Sequence, residues 1–149
     1  MGDFIVDASV VAKWLLPEED SDRARALIAP AHFLRAPDLL VSELGNIFWK
    51  RCARRELTAE EAQEIVTVLL RRHIDSTVRL LPSRILLEQA MRIAAAEQQT
   101  IYDCLYLAYA VQARCRFVTA DEKFVRSIND PLLKRHIVSL RDPSLDLPE

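Results

Sequence analysis

Four carboxylates in this chain stand where exposure to solvent is a poor account of them. Asp7 closes the apolar run Phe4-Ile5-Val6, and Glu43 interrupts the apolar segment from Leu39 to Trp49. Asp103 is the only charge between Thr100 and Ala113, and Asp121 follows Phe117-Val118-Thr119-Ala120. If folding gathers them, the cluster repels itself unless a cation neutralises it. A pocket of carboxylate oxygens suits Mg²⁺ or Mn²⁺, which points to metal-dependent chemistry on phosphates.

Each acid also has an ordinary explanation. Asp7 and Asp121 are good N-caps for the helices expected after them, with Ser9 able to share the first cap. Glu43 has Leu39, Leu40, Asn46 and Ile47 as its helical neighbours, so it shares a mostly apolar face. It must be functional or buried in an ion pair with an arginine. Asn46, one turn on, can hydrogen-bond its carboxylate or a water. Asp103, in the first turn of an apolar helix, gains from the helix dipole but still needs a partner if buried. Thr100 and Tyr102 are the nearby hydroxyls, and no basic residue of that helix precedes Arg114. The alternative is a surface charge at a helix start. All four ordinary explanations holding together is much less favoured than any one.

The elements that must position these acids alternate along the chain. Phe4 to Val6, His32 to Ala36, Thr77 to Leu81, Arg116 to Thr119 and Ile137 to Leu140 read as strands. Between them fall helices: Ser9 to Leu16, stopped by Pro17, and Glu18 to Ala29, with an internal start at Ser21 or Asp22. Asp38 is placed to cap a helix to about Arg54, and Thr58 with Glu61 forms a capping box opening a helix to about His73. Ser83 caps a helix to about Glu97, and Thr100 to Ala113, apolar on nearly every face, is a buried helix. Glu122 to Ile128 is a short helix, and Asp142 to Glu149 reads as a loose tail. This order predicts one α/β domain over the whole chain, a three-layer α/β/α sandwich on about four to five short parallel strands. Asp7 and Asp121 then lie just past strand carboxyl ends, where such sheets build sites.

Composition excludes several classes. The 149 residues are 50% hydrophobic and 28% charged, typical of a folded chain with a real core. With 2 glycines there is no material for a Gly-rich nucleotide loop. The net charge of -2 gives no global pull toward nucleic acid or membrane, yet the 20 basic residues are mostly arginine, which suits phosphate oxygens or reflects a base-composition bias. Cys52, Cys104 and Cys115 form no paired motif and read as reduced thiols, two of them core filler. His32, His73 and His136 read as structural or surface residues. The opening MGDFIVDAS is not a signal peptide by pattern, and no apolar run reaches the ~20 residues of a membrane span, so a cytoplasmic protein is expected.

An acidic pocket repels a polyanion, so basic residues must hold one. Lys50, Arg51, Arg54 and Arg55 cluster at the end of the Glu43 helix, Arg71-Arg72 end the next, and Lys13 lies near Asp7 in sequence. Positive charge at helix ends is also ordinary dipole complementarity.

The segments FIVDASVVAKWL (4–15), APDLLVSELGNIFWKR (36–51), YDCLYLAYA (102–110) and RFVTADEKF (116–124) together resemble the PIN domain. More narrowly they resemble the VapC toxin ribonucleases of prokaryotic toxin–antitoxin pairs, over nearly the whole chain and with the acids in the family's order. The resemblance implies Asp7, Glu43, Asp103 and Asp121 as a catalytic Mg²⁺ or Mn²⁺ site, with Ser9, Asn46 and Thr119 as polar supports. A further acid that some members carry after the last aspartate is replaced here by the run Glu122-Lys123, which puts a fifth ligand in doubt. The resemblance also implies hydrolysis of RNA to a 5′-phosphate and a 3′-hydroxyl, with structured RNA such as transfer RNA as substrate. It implies a homodimer, and a groove receiving an antitoxin tail whose basic side chain reaches the acids. The aromatics of Trp14-Leu15-Leu16 and Phe48-Trp49 are core by default and candidates for that groove.

Two other readings compete. A catalytically inactive module of this fold could bind RNA or protein, although a pure binder has no need of mutually repelling acids. A Mg²⁺-dependent phosphohydrolase or phosphoacceptor would carry D-x-D after the first strand, where Ser9 stands instead.

Overall fold

The computed structural model describes residues 2–145 and Leu147. The chain opens with strand β1 (Gly2–Val6), whose last three residues are fully buried. Helix α1 (Ala8–Val11) follows at once and tightens into a 3-10 turn, Ala12–Trp14, before Pro17. The expected helix from Ser9 to Leu16 is thus shorter and starts a residue earlier, because Asp7 caps it. Helix α2 (Ser21–Ala26) replaces the expected Glu18 to Ala29 helix. Ser21 is the internal start: its hydroxyl accepts from the Glu18 N–H and donates to the Leu16 carbonyl.

Strand β2 (His32–Pro37) leads into α3 (Leu39–Ala53), the helix carrying Glu43. Asp38 stands at its N-cap position but its side chain makes no bond to that helix. Its Oδ1 accepts instead from the N–H and hydroxyl of Ser83, and Ser83 Oγ accepts from the Leu39 N–H. Each of these two residues therefore caps the other's helix. Helix α4 (Ala59–Leu69) has the full capping box of Thr58 and Glu61, then widens into a π turn, Leu70–Ile74, where a plain helix to about His73 was expected. A helical turn α5 (Asp75–Thr77) precedes β3 (Val78–Leu81).

Helices α6 (Ser83–Glu97) and α7 (Ile101–Ala113) pack against each other, with α7 against β1, β2 and β4. Both end on left-handed residues that are not glycine, Gln98 at φ 54° and Arg114 at φ 55°. Then come β4 (Arg116–Thr119), α8 (Glu122–Ser127), α9 (Pro131–Lys134) and β5 (Ile137–Ser139). The five strands form one parallel sheet in the order β3-β2-β1-β4-β5. Parallel neighbours require crossovers, and here helices supply them.

The core runs through the sheet and α7, with Ile5, Tyr106, Leu107 and Phe117 among its buried side chains. Trp14, Leu16 and Phe48 belong to it too, as do Cys104 and Cys115, while Trp49 is 63% exposed. The described part of the tail that was expected to be loose is residues 142–145 and Leu147. It forms a 3-10 turn, Pro143–Leu145, and buries Leu145 and Leu147, while Arg23 donates to the Asp142 carbonyl. Asp146, Pro148 and Glu149 lie outside the described residues. No helix among the described residues is long and apolar enough to cross a membrane.

Candidate active site

The carboxyl ends of the two central strands, β1 and β4, deliver the first and last acids. Asp7 follows Val6 directly; it is 8% exposed and caps α1 through the Val10 N–H. Its Oδ1 also accepts from Ser9 Oγ at 2.6 Å, and its Oδ2 from Thr119 Oγ1 at 2.5 Å. Ser9 Oγ in turn accepts from the Ala120 N–H, and Thr119 Oγ1 from the Asp121 N–H. The two hydroxyls thereby lace the end of β1 to the end of β4. Asp121 is exposed and caps α8 through the Phe124 N–H. Capping and site membership are not exclusive: one oxygen holds a helix start while the residue faces the cavity.

Helices α3 and α7 bring the other two acids. Glu43 is half-buried, and its Oε1 accepts from Tyr106 Oη at 2.6 Å. Among the described residues Glu43 forms no ion pair with an arginine, and its hydrogen bond comes from Tyr106 rather than Asn46. Asp103 accepts from Thr100 Oγ1 at 3.1 Å, so of its two neighbouring hydroxyls Thr100 is the partner, while Tyr102 is exposed. A cavity of about 250 Å³ is lined by Asp7, Glu43, Asp103 and Asp121 with Ser9, Asn46, Lys50 and Tyr106. A cavity of about 450 Å³ lies at the amino ends of the strands, among Asp3, His32, Arg114 and Arg116, away from the four acids.

The electrostatics follow from burial and proximity. Asp7 has its carboxyl raised to about 6 by desolvation, opposed by Ser9, Thr119 and the Val10 N–H and assisted by the charge of Glu43. Glu43 is raised by desolvation, opposed by Tyr106, with the charge of Asp103 adding to it. Asp103 is raised by desolvation, opposed by Thr100, with Asp121 adding to it. Each acid thus feels the next in a chain of like charges. Among the described residues none of the four forms a salt bridge, and the side-chain donors to the three partly or fully buried acids are all neutral hydroxyls. Neutral donors ease the burial of an anion while leaving its charge available to a cation.

Oxygen donors with uncancelled charge fit a hard divalent ion. The ligand set is not closed, however. Among the described residues no three His, Cys, Asp or Glu side chains stand close enough to grip one ion. The acids share a cavity without forming a ready cage.

The basic residues divide. Lys50 lines the cavity. Lys13 and Arg51 are both engaged by Glu18, Lys13 also donates to the Glu19 carbonyl, and Arg51 reaches Glu56 at 2.7 Å. Arg54 and Arg55 are exposed beyond the last turn of α3. None of the three histidines or three cysteines lines the acidic cavity. His73 packs on Trp14 and His136 bonds the Cys115 carbonyl. The sequence reading missed Tyr106. The available signal was its spacing of three from Asp103, which puts a hydroxyl on the same face of α7.

A parallel α/β sheet with two acids past the ends of neighbouring strands, and two more brought to the same cavity by helices, defines the scaffold and its candidate site. The PIN domain family model matches residues 4–127, and the chain belongs to that family. It is 29% identical over 119 residues to Ribonuclease VapC3 of Pyrobaculum aerophilum, covering 80% of this chain and 89% of that protein. Among solved structures it is similar to PAE2754 from Pyrobaculum aerophilum, with TM-score 0.61 and 21% identity over 97% of this chain and 92% of the other. It is also similar to VapBC2 from Rickettsia felis bound to a promoter DNA fragment, with TM-score 0.61 and 14% identity over 92% and 98% of the respective chains. These two likenesses are of fold.

Proposed function

We propose that this chain is a divalent-metal-dependent endoribonuclease of the VapC toxin type, held in check by a cognate antitoxin. The observation that carries the reading is the convergence of four carboxylates on one cavity, with neutral donors and no ion pair to quench them. A matching relative that bears the name ribonuclease supports RNA as substrate.

Asp7, Glu43, Asp103 and Asp121 would hold Mg²⁺ or Mn²⁺. Such an ion polarises a phosphodiester and lowers the pKa of a bound water. The chain's own residues do the rest. Ser9 and Thr119 fix the Asp7 carboxylate between β1 and β4, Thr100 fixes Asp103, and Lys50 offers a cation at the cavity for an RNA phosphate. Lys13 and Arg51 are committed to Glu18, which leaves Arg54 and Arg55 as the further candidates for RNA contact.

The antitoxin partner is supported by the likeness to a toxin of a VapBC complex. Exposed Trp49 on α3, and Ile85, Leu87 and Met91 on α6, supply apolar area for that partner or for a homodimer. One observation favours the alternative, an inactive RNA- or protein-binding module: among the described residues no three acids are close enough to form a ligand set. Purified protein and its Asp103→Asn variant, incubated with RNA and Mg²⁺ or Mn²⁺ and then with a chelator, separate the two. Metal-dependent cleavage lost in the variant is expected; cleavage undiminished in Asp103→Asn ends the metal-nuclease reading, and no cleavage by either leaves the binding module.

A further inference from the structure

Resting on the carboxylate-site reading, we propose that Tyr106 is the positioning residue that orients Glu43 for its metal. Tyr106 is 1% exposed, and its ring stacks on Phe117 at 5.4 Å and 15°. Its hydroxyl donates to Glu43 Oε1 at 2.6 Å across 63 residues of sequence. A ring so packed cannot swing, so the hydroxyl is a fixed point on the cavity wall. It occupies one oxygen of Glu43 and leaves the other as the free donor.

The choice of residue type matters. Glu43 sits on α3, a surface helix with no strand to hold its side chain, whereas Asp7 and Asp121 are tied by backbone N–H groups at helix starts. A long glutamate otherwise samples many rotamers, and ordering it costs entropy on metal binding. An arginine or lysine at position 106 would order it too, but would cancel the charge that attracts the ion. A phenol orders the carboxylate and keeps its charge. Because Tyr106 follows Asp103 by three residues, α7 carries one acid and the anchor of another on a single face.

The test measures Mn²⁺ affinity by calorimetry and spin resonance on the full chain, with the stability of the metal-free protein measured in parallel. Tyr106→Phe keeps the ring and its stack. It is expected to weaken Mn²⁺ binding by about 10- to 100-fold, the range for losing a residue that orients a ligand. In a Glu43→Gln background the same change is expected to add little. Unchanged Mn²⁺ affinity in Tyr106→Phe overturns the proposal, as does a full further loss in the Glu43→Gln background. If Tyr106→Phe fails to fold, Tyr106→Met replaces it, with the same two outcomes deciding. Absence of Mn²⁺ binding in the unaltered protein overturns the underlying site reading instead, and the proposal with it.

Discussion

Thr119 Oγ1 donates to Asp7 Oδ2 at 2.5 Å, joining residues 112 apart at the ends of two neighbouring parallel strands. Together with Ser9 it gives Asp7 two hydroxyl partners and no counter-charge. The site's first acid is thus ordered by neutral groups, at a cost to the fold.

That cost has a pH signature. The Asp7 carboxyl titrates at 3.8 when unperturbed and at about 6 when folded. The folded state binds the proton more tightly, so metal-free stability falls as pH rises from about 4 to about 6 and then levels off, by on the order of 3 kcal/mol. The raised Glu43 and Asp103 act in the same direction. Asp7→Asn is expected to flatten most of this slope and to make the metal-free protein more stable near pH 7. Urea unfolding in chelator across that range measures both, and a slope unchanged in the variant would show that Asp7 is not its source.

A bound divalent ion should offset the repulsion. At one hundred times its dissociation constant it stabilises the fold by about 2.7 kcal/mol, or roughly 5–10 °C in melting temperature. Scanning calorimetry at matched ionic strength separates this from simple screening. Asp103→Asn is expected to blunt the shift, and a melting temperature indifferent to Mg²⁺ and Mn²⁺ contradicts a metal site.

Lys50 and Arg51 adjoin in sequence and differ in their surroundings. Lys50→Gln is expected to weaken RNA binding and to lower the slope of log affinity against log salt by about 0.7, the share of one phosphate contact. Arg51→Gln is expected to leave RNA affinity alone and cost roughly 0.2–1 kcal/mol per lost pair with Glu18 and Glu56. Anisotropy titrations with inactive Asp103→Asn protein at several salt concentrations distinguish them. Equal RNA losses from both changes would contradict the division.

Asp38 and Ser83 tie the starts of α3 and α6 together. Asp38→Ala is expected to destabilise the protein by about 0.5–2 kcal/mol, as for loss of an N-cap. The bonds from Ser83 hold the Asp38 carboxyl below its ordinary range. This contribution is therefore present above about pH 4 and is lost as the acid is protonated at lower pH. A urea midpoint that does not move on substitution would show that the caps are dispensable.

Much of this was legible in the chain. The strand of residues 116–119 and the buried helix after Thr100 are read directly from continuous apolar runs, because such local signals act within one turn or one strand. The helix ends are where local reading failed. The helix expected over Ser9 to Leu16 starts a residue earlier because Asp7 took the cap and tightens into a 3-10 turn from Ala12, and the helix after Thr58 widened into a π turn at Leu70–Ile74. The tail after Asp142 looked polar and proline-bearing, yet Leu145 and Leu147 found the core. Lys13 and Arg51, read as candidates for RNA contact, are both paired with Glu18, an acid read only as a helix start.

What the amino-acid order determined alone is the inventory: which segments are apolar enough to be strands and helices, and which acids interrupt them. Those depend on side-chain chemistry and spacing of a few residues. The tertiary structure alone decided partnership. The strand order that sets Asp7 beside Thr119, the exchange of caps between Asp38 and Ser83, and the hydroxyl of Tyr106 on Glu43 all join residues tens of positions apart. Chain connectivity places no such pairs; only the pairing of the strands and the packing of the helices on the open sheet bring their atoms within hydrogen-bond reach.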